Sequence, residues 1–144
     1  MKTKFNFNSQ ICTTGEQSEH LLALGLKKQT ADMTIYIKYD GSWYVTAEPF
    51  YEWEDDMNTI PNLEETEQIL PAWSLNRLIE MMPFDVIPEG GFDNCFTLIK
   101  NYPKGYSVEY DGFSYYHKEN IYDTIIDGIE HLIKEGYFNK KYLV

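Results

Sequence analysis

Hydrophobic positions along this chain follow two rhythms, and the change from one to the other marks the elements. Thr34-Ile-Tyr-Ile-Lys-Tyr39 and Ser42-Trp-Tyr-Val-Thr46 are β-branched or aromatic and are separated by Asp40-Gly41. Asp-Gly between two such runs is a strong hairpin signal, because a type I′ turn needs positive φ at both central residues. A three-strand meander is expected further on, over Cys95–Asn101, Tyr106–Tyr110 and Phe113–His117, with turns at Pro103-Lys-Gly105 and Asp111-Gly112.

The period lengthens to that of a helix in three places. Glu16–Leu24 has capping hydroxyls at Thr13 and Thr14, apolar Leu21, Leu22 and Leu24, and Gly25 to close it. Ser74 caps Leu75–Met82, whose Leu75, Leu78, Ile79 and Met82 lie on one face, and Pro83 cannot continue it. Asn120 caps Ile121–Glu135, Gly136 ends it, and its wide stripe of isoleucine and leucine suits a helix lying across a sheet.

Other stretches are less periodic. Leu63–Ile69 reads as a helical turn or two after Asn62, stopped by Pro71. Glu48–Asp56 has no helical period and reads as loop or edge strand, and Phe84–Asn94 as a turn-rich connection. Together the pattern predicts one α+β domain over 1–144, with antiparallel hairpins and a meander packed against two or three helices and the C-terminal helix across the sheet. Ile37–Tyr44 and Val108–Tyr115 also share Tyr-Asp-Gly followed by a tyrosine, which raises the question of a duplicated hairpin. Tyrosine-rich hairpins with Asp-Gly turns also arise independently.

Length and composition narrow the class. A chain of 144 residues with 43% hydrophobic residues can build a core without staples. Its two cysteines, Cys12 and Cys95, lie far apart and match no metal-ligand spacing, so no disulfide framework is expected. No signal peptide and no run of about 20 apolar residues is seen, so a cytoplasmic protein without a membrane span is expected.

The net charge of −11 argues against direct nucleic-acid binding, which needs clustered Lys and Arg. That charge is local. Residues 1–38 carry +2 and residues 77–144 carry −4, whereas residues 39–76 hold nine acids, no Lys and no Arg. Within that stretch Phe50, Tyr51 and Trp53 sit among Glu48, Glu52, Glu54, Asp55 and Asp56. Aromatic rings among acids must either fold back on the core or meet a partner, and Tyr and Trp are favoured anchors of interfaces. Long irregular connections are often functional. The candidate partner surface is therefore Glu48, Tyr51, Glu52, Trp53, Glu54, Asp55 and Asp56, within segment 48–67.

Catalytic chemistry has weaker signals. Glu16 with His20, and Asp127 with His131 and Glu135, have the spacing that shares a helix face, as surface helices commonly do. Neither set matches a zinc signature. No phosphate loop, nucleophile elbow or EF-hand pattern is present, and no catalytic, cofactor or metal residue is assigned. The alternatives are a metal-assisted hydrolase using carboxylates with His117 or His131, or a small-molecule binder using Tyr106, Tyr115 and Tyr116 of the meander.

Leu24-Gly-Leu26 leading to Thr30-Ala-Asp-Met33, and Pro71-Ala-Trp-Ser-Leu75 with Leu78-Ile-Glu-Met-Met-Pro83, resemble a group of short uncharacterised proteins of gut anaerobes and their phages or integrated elements. The resemblance covers residues 18–83, with a looser continuation beyond. It implies a mobile-element context and brings no activity or catalytic residue. The resulting expectation is a non-catalytic interaction or accessory protein whose acidic aromatic segment meets a basic protein surface.

Overall fold

The structure is a computed structural model and describes residues 9–50, 63–83, 85–86, 94–101, 103–110 and 113–144. Its elements in chain order are α1 (Gly15–Ala23), β1 (Met33–Lys38), β2 (Trp43–Thr46), β3 (Thr66–Ala72), α2 (Leu75–Met81), β4 (Asp85–Val86), β5 (Asn94–Cys95), β6 (Thr97–Lys100), β7 (Tyr106–Tyr110), β8 (Phe113–Lys118) and α3 (Ile121–Glu135). Two antiparallel three-stranded sheets, β2-β1-β3 and β6-β7-β8, and a two-stranded ladder β4-β5 make up the described β structure. The α+β class holds, and α3 packs on β7 and β8.

Capping explains where the helices begin. Thr14 Oγ1 accepts from Gln17 N–H while Gln17 Oε1 accepts from Thr14 N–H, a capping box that satisfies two orphan donors of α1. Asn120 Oδ1 accepts from the N–H groups of Tyr122 and Asp123 to start α3, and Gly136, with φ 79°, ends it. Tyr122, Ile125, Ile126, Ile129 and Leu132 of α3 are buried in one core with Leu21, Trp73, Leu78, Val108 and Tyr110. At Gly128 α3 faces β7 and the end of α2, and a Cβ there would make only ordinary contacts, 3.6 Å from Val108 Cγ1 and 3.7 Å from Met82 Cε.

Residues of the resemblance hold the first sheet to α2. Asp32 Oδ1 accepts from Ser74 N–H at 2.9 Å and Oδ2 from Ser74 Oγ at 2.5 Å, while Ser74 Oγ caps α2 by accepting from Arg77 N–H. Trp73, fully buried, donates its indole N–H to Thr30 Oγ1 at 2.9 Å. Its backbone N–H donates to Thr13 Oγ1, and Thr13 N–H donates to Trp73 O. Asp32 does more than turn the chain before β1: it fixes the entry to α2.

Several expectations change. Leu63–Ile69 is not helical beyond the 3₁₀ turn Leu63–Glu65, because Thr66–Ala72 pairs with β1 as a full strand. Pro71 does not stop a helix; it lies inside β3, opposite Thr34. The hairpin loop is one residue longer than a two-residue type I′ turn. Lys38 N–H donates to Ser42 O and Gly41 N–H to Lys38 O, with Gly41 at φ 85°, as in a three-residue loop with glycine at the left-handed position. In the other Tyr-Asp-Gly hairpin Tyr110 pairs directly with Phe113. Equivalent tyrosines thus fall inside the loop in one hairpin and in the strand in the other, which weighs against duplication. Finally, Cys95 pairs with Asp85 in the short ladder, and the meander begins only at Thr97.

Candidate interaction surface

Side chains alternate across the first sheet. Ile35 pairs with Val45 and Leu70, and Ile37 with Trp43 and Gln68, so these residues share one face. Tyr36, Tyr44 and Ile69 share the other, where the rings of Tyr36 and Tyr44 stack at 4.7 Å. On that second face Thr34 Oγ1 donates to the Glu48 carbonyl at 2.8 Å, and the chain goes on to Phe50. Phe50 is buried in the main core with the Lys28 ammonium 5.6 Å from its ring centroid. For Phe50, folding back on the core is the outcome. Glu48 is exposed at the end of this anchored run, whereas Tyr51, Glu52, Trp53, Glu54, Asp55 and Asp56 lie outside the described residues.

The acidic stretch re-emerges at the hairpin tip. Tyr39 N–H donates to Glu65 O at 3.1 Å, and Lys38 Nζ lies 3.5 Å from the Glu65 carboxylate. Tyr39 is 70% exposed and Trp43 67%, beside exposed Asp40, Glu64, Glu65 and Glu67. Gln68 Nε2 donates to Glu19 of α1 at 3.3 Å, which brings Glu19 to the flank. Across α1, β1, the hairpin loop, β2 and residues 63–72 there are six acids and one Lys or Arg, Lys38. Asp40 is held below the usual carboxylate range by Ser42, whose hydroxyl and N–H both donate to it. Next to this end of the sheet an apolar groove of about 690 Å³ runs between residues 9–15 and the hairpin, with Ile35, Ile37 and Trp43 on its floor and 62%-exposed Ile11 on its rim.

The sequence reading did not single out Trp43 and Tyr39. Their signal was positional: they lie at the tip end of a hairpin, beyond the core that covers Ile35 and Tyr36.

Of the candidates for catalysis, Glu16, His20 and Asp127 line one polar groove with Lys118 and Asp123, whereas His131 and Glu135 are not part of it. His20 lies 3.8 Å from Glu130 of α3, and Asp127 pairs with Lys118 at 3.4 Å, so each has a partner outside its own helix-face set. His131 is on α3, and the side chains of His117, Tyr115 and Tyr116 lie outside the described residues. Cys12 is buried and its thiol is pushed up to about 11, mainly by burial and then by the negative charge of Asp32, so it is protonated at neutral pH. Among the described residues no group of three or more His, Cys, Asp or Glu is arranged to hold a metal ion, and no helix is long and apolar enough to cross a membrane.

A polar groove of about 510 Å³ lies between the N-termini of α1 and α3. Its amides are engaged with one another: Gln17 Nε2 donates to Asp123 Oδ1 at 2.6 Å, Asn120 Nδ2 to Gln10 Oε1 at 3.0 Å, and Gln10 Nε2 to Gln17 Oε1 at 2.7 Å. These bonds join the caps of the two helices, which is a structural task. No family model matches the chain, and the comparisons with curated proteins and with solved structures likewise give no match.

Proposed function

We propose that this is a non-catalytic interaction protein, an accessory factor of a mobile element, whose acidic aromatic end meets a basic surface on a protein partner. The observation that carries the reading is the exposure of Tyr39 and Trp43 amid Asp40, Glu64, Glu65 and Glu67. Large rings left in water at one end of a sheet, where acids outnumber the cation Lys38, have the composition of an anchor with a steering field around it. Of segment 48–67, the described acids that support this reading are Glu48, exposed after β2, and Glu64, Glu65 and Glu67 by the hairpin tip. The mobile-element origin rests on the resemblance over residues 18–83.

The test is capture of partners from a lysate of the encoding organism at about 50 and about 500 mM NaCl, with the parent chain and with Glu64→Lys/Glu65→Lys/Glu67→Lys. A partner held at low salt, released at high salt and lost on charge reversal supports the reading. Capture that ignores both salt and reversal refutes it.

A further inference from the structure

The two outer edges of the β2-β1-β3 sheet are built differently. Lys38 N–H donates to Ser42 O, so by alternation Thr34, Tyr36 and Lys38 direct their backbone groups to β2, and Met33, Ile35 and Ile37 direct theirs to β3. The bond from Tyr39 N–H to Glu65 O fits the same alternation. At the outer edge of β3 the groups of Ile69 and Pro71 therefore point away from β1, and at the outer edge of β2 those of Trp43 and Val45 do.

The β3 edge is blunted. Pro71 has no N–H to offer at its outward position, and the register slips at Glu67, where an extra residue bulges between Thr66 and Gln68. Proline, bulges and charge are the usual protections of a sheet edge. The β2 edge has none of them. Trp43-Tyr-Val-Thr46 is uncharged, made of strong strand formers and paired without a bulge, and among the described residues no strand lies outside it. An edge that no described strand covers is a template for another strand. Beside it the apolar groove offers Ile11, Ile35, Ile37 and Trp43 to side chains of one parity, and the carboxylates of Asp40, Glu64 and Glu65 lie at the tip end of the same sheet.

We infer that the outer edge of β2 is a docking strand for an extended, Lys- or Arg-bearing segment of the partner. The backbone of that segment pairs with Trp43 and Val45, its apolar side chains enter the groove, and its cations meet the acidic tip. The inference rests on the proposed partner surface and specifies how that surface is read. The occupant is basic because the exposed acids Asp40 and Glu48 flank β2 at its two ends, while the one Lys of the hairpin, Lys38, is engaged with Glu65 on the β3 side. A second copy of this chain would bring the same acidic end to the contact, which like-charge repulsion opposes.

The experiment follows amide hydrogen exchange of the full chain by NMR while a short peptide of alternating lysine and valine is added. Bound peptide should slow exchange at Trp43 and Val45 about tenfold or more, with Tyr44, already directed at β1, little changed. An analogue N-methylated on its pairing edge and a glutamate–valine analogue should not bind. Val45→Pro removes an outward N–H without removing a β1–β2 bond, and should abolish binding. The N-methylated peptide keeps the test sharp should that variant fold poorly.

Failure of the lysine–valine peptide to bind, binding with Trp43 and Val45 exchange unchanged, or protection that grows with protein concentration alone each overturn the inference. The two levels separate cleanly in lysate. Salt-sensitive capture that survives Val45→Pro but not the Glu64/Glu65/Glu67 reversal ends strand pairing and leaves the partner surface standing, whereas capture that survives the reversal ends both.

Discussion

Replacing Asp32 by alanine tests how the first sheet is joined to α2. The carboxylate is half-buried and accepts two hydrogen bonds from Ser74, at 2.9 Å from the backbone N–H and 2.5 Å from the hydroxyl. A hydrogen bond to a charged group is worth roughly 1.5–3 kcal/mol, and partial exposure of Asp32 places these near the lower end. Ser74 keeps its cap bond to Arg77 N–H, so the cap is loosened and not deleted. Asp32→Ala should therefore cost ~2–4 kcal/mol, a large share of a typical ~5–15 kcal/mol. With ~2.1 cal/mol/K per residue of unfolding entropy, a chain of this length should lose ~7–13 °C in Tm. Asp32→Asn preserves one acceptor and should lose about half as much. Urea and thermal denaturation of both variants, with Ser74→Ala completing a double-mutant cycle, provide the assay. A loss below ~1 kcal/mol for Asp32→Ala, or equal losses for the two variants, would refute the reasoning.

Gln17→Ala should cost ~1–3 kcal/mol in urea denaturation and speed exchange at the Tyr122 and Asp123 amides, since Gln17 links the caps of α1 and α3. Gly128→Ala should stabilise by ~0.5–1 kcal/mol, because a helix interior favours alanine and its Cβ would make only ordinary contacts at 3.6–3.8 Å; a destabilised variant would show that the α3–β7 approach is tighter than this. The Cys12 thiol holds its proton more tightly folded than unfolded, so its contribution is complete below pH 9 and disappears as pH rises from 9.0 through about 11. Tyr36 and Tyr122, raised chiefly by burial, lose stability in the same direction above pH 10, and Cys12→Ala should make the alkaline decline shallower.

Local signals foretold the elements whose ends are fixed by short-range chemistry. Asn120 and Gly136 bound α3 because a side-chain acceptor and a positive φ are needed at those positions whatever the rest of the chain does. Ser74 did the same for α2. The misreading of Leu63–Ile69 has the opposite cause. Nothing within Thr66–Ala72 alternates cleanly, and its strand character comes from pairing with β1, distant in sequence. Pro71 was a poor guide because at an edge strand's outward position its missing N–H costs nothing. Likewise the role of Asp32 has no local signal, because its partner, Ser74, is 42 residues away.

The candidate surface was half legible. Charge counting alone found the acidic stretch, and of the two courses open to an aromatic among acids Phe50 took the first, folding back on the core. The exposure of Trp43 and Tyr39 could not be read from alternation, because a strand's apolar face says nothing of where its cover ends. Only the fold shows that the groove and the β2 edge, which no described strand covers, adjoin the hairpin tip.

The central claim is that exposed aromatics within an acidic field bind a basic partner, and calorimetric titration of the captured partner against the parent chain and Trp43→Ala tests it most directly. Trp43 is 67% exposed, so its truncation should leave the fold intact. The account predicts at least a tenfold fall in affinity between about 50 and about 500 mM NaCl, and a loss of ~2 kcal/mol, about thirtyfold, on truncation. An affinity indifferent to salt and unchanged by Trp43→Ala would contradict it.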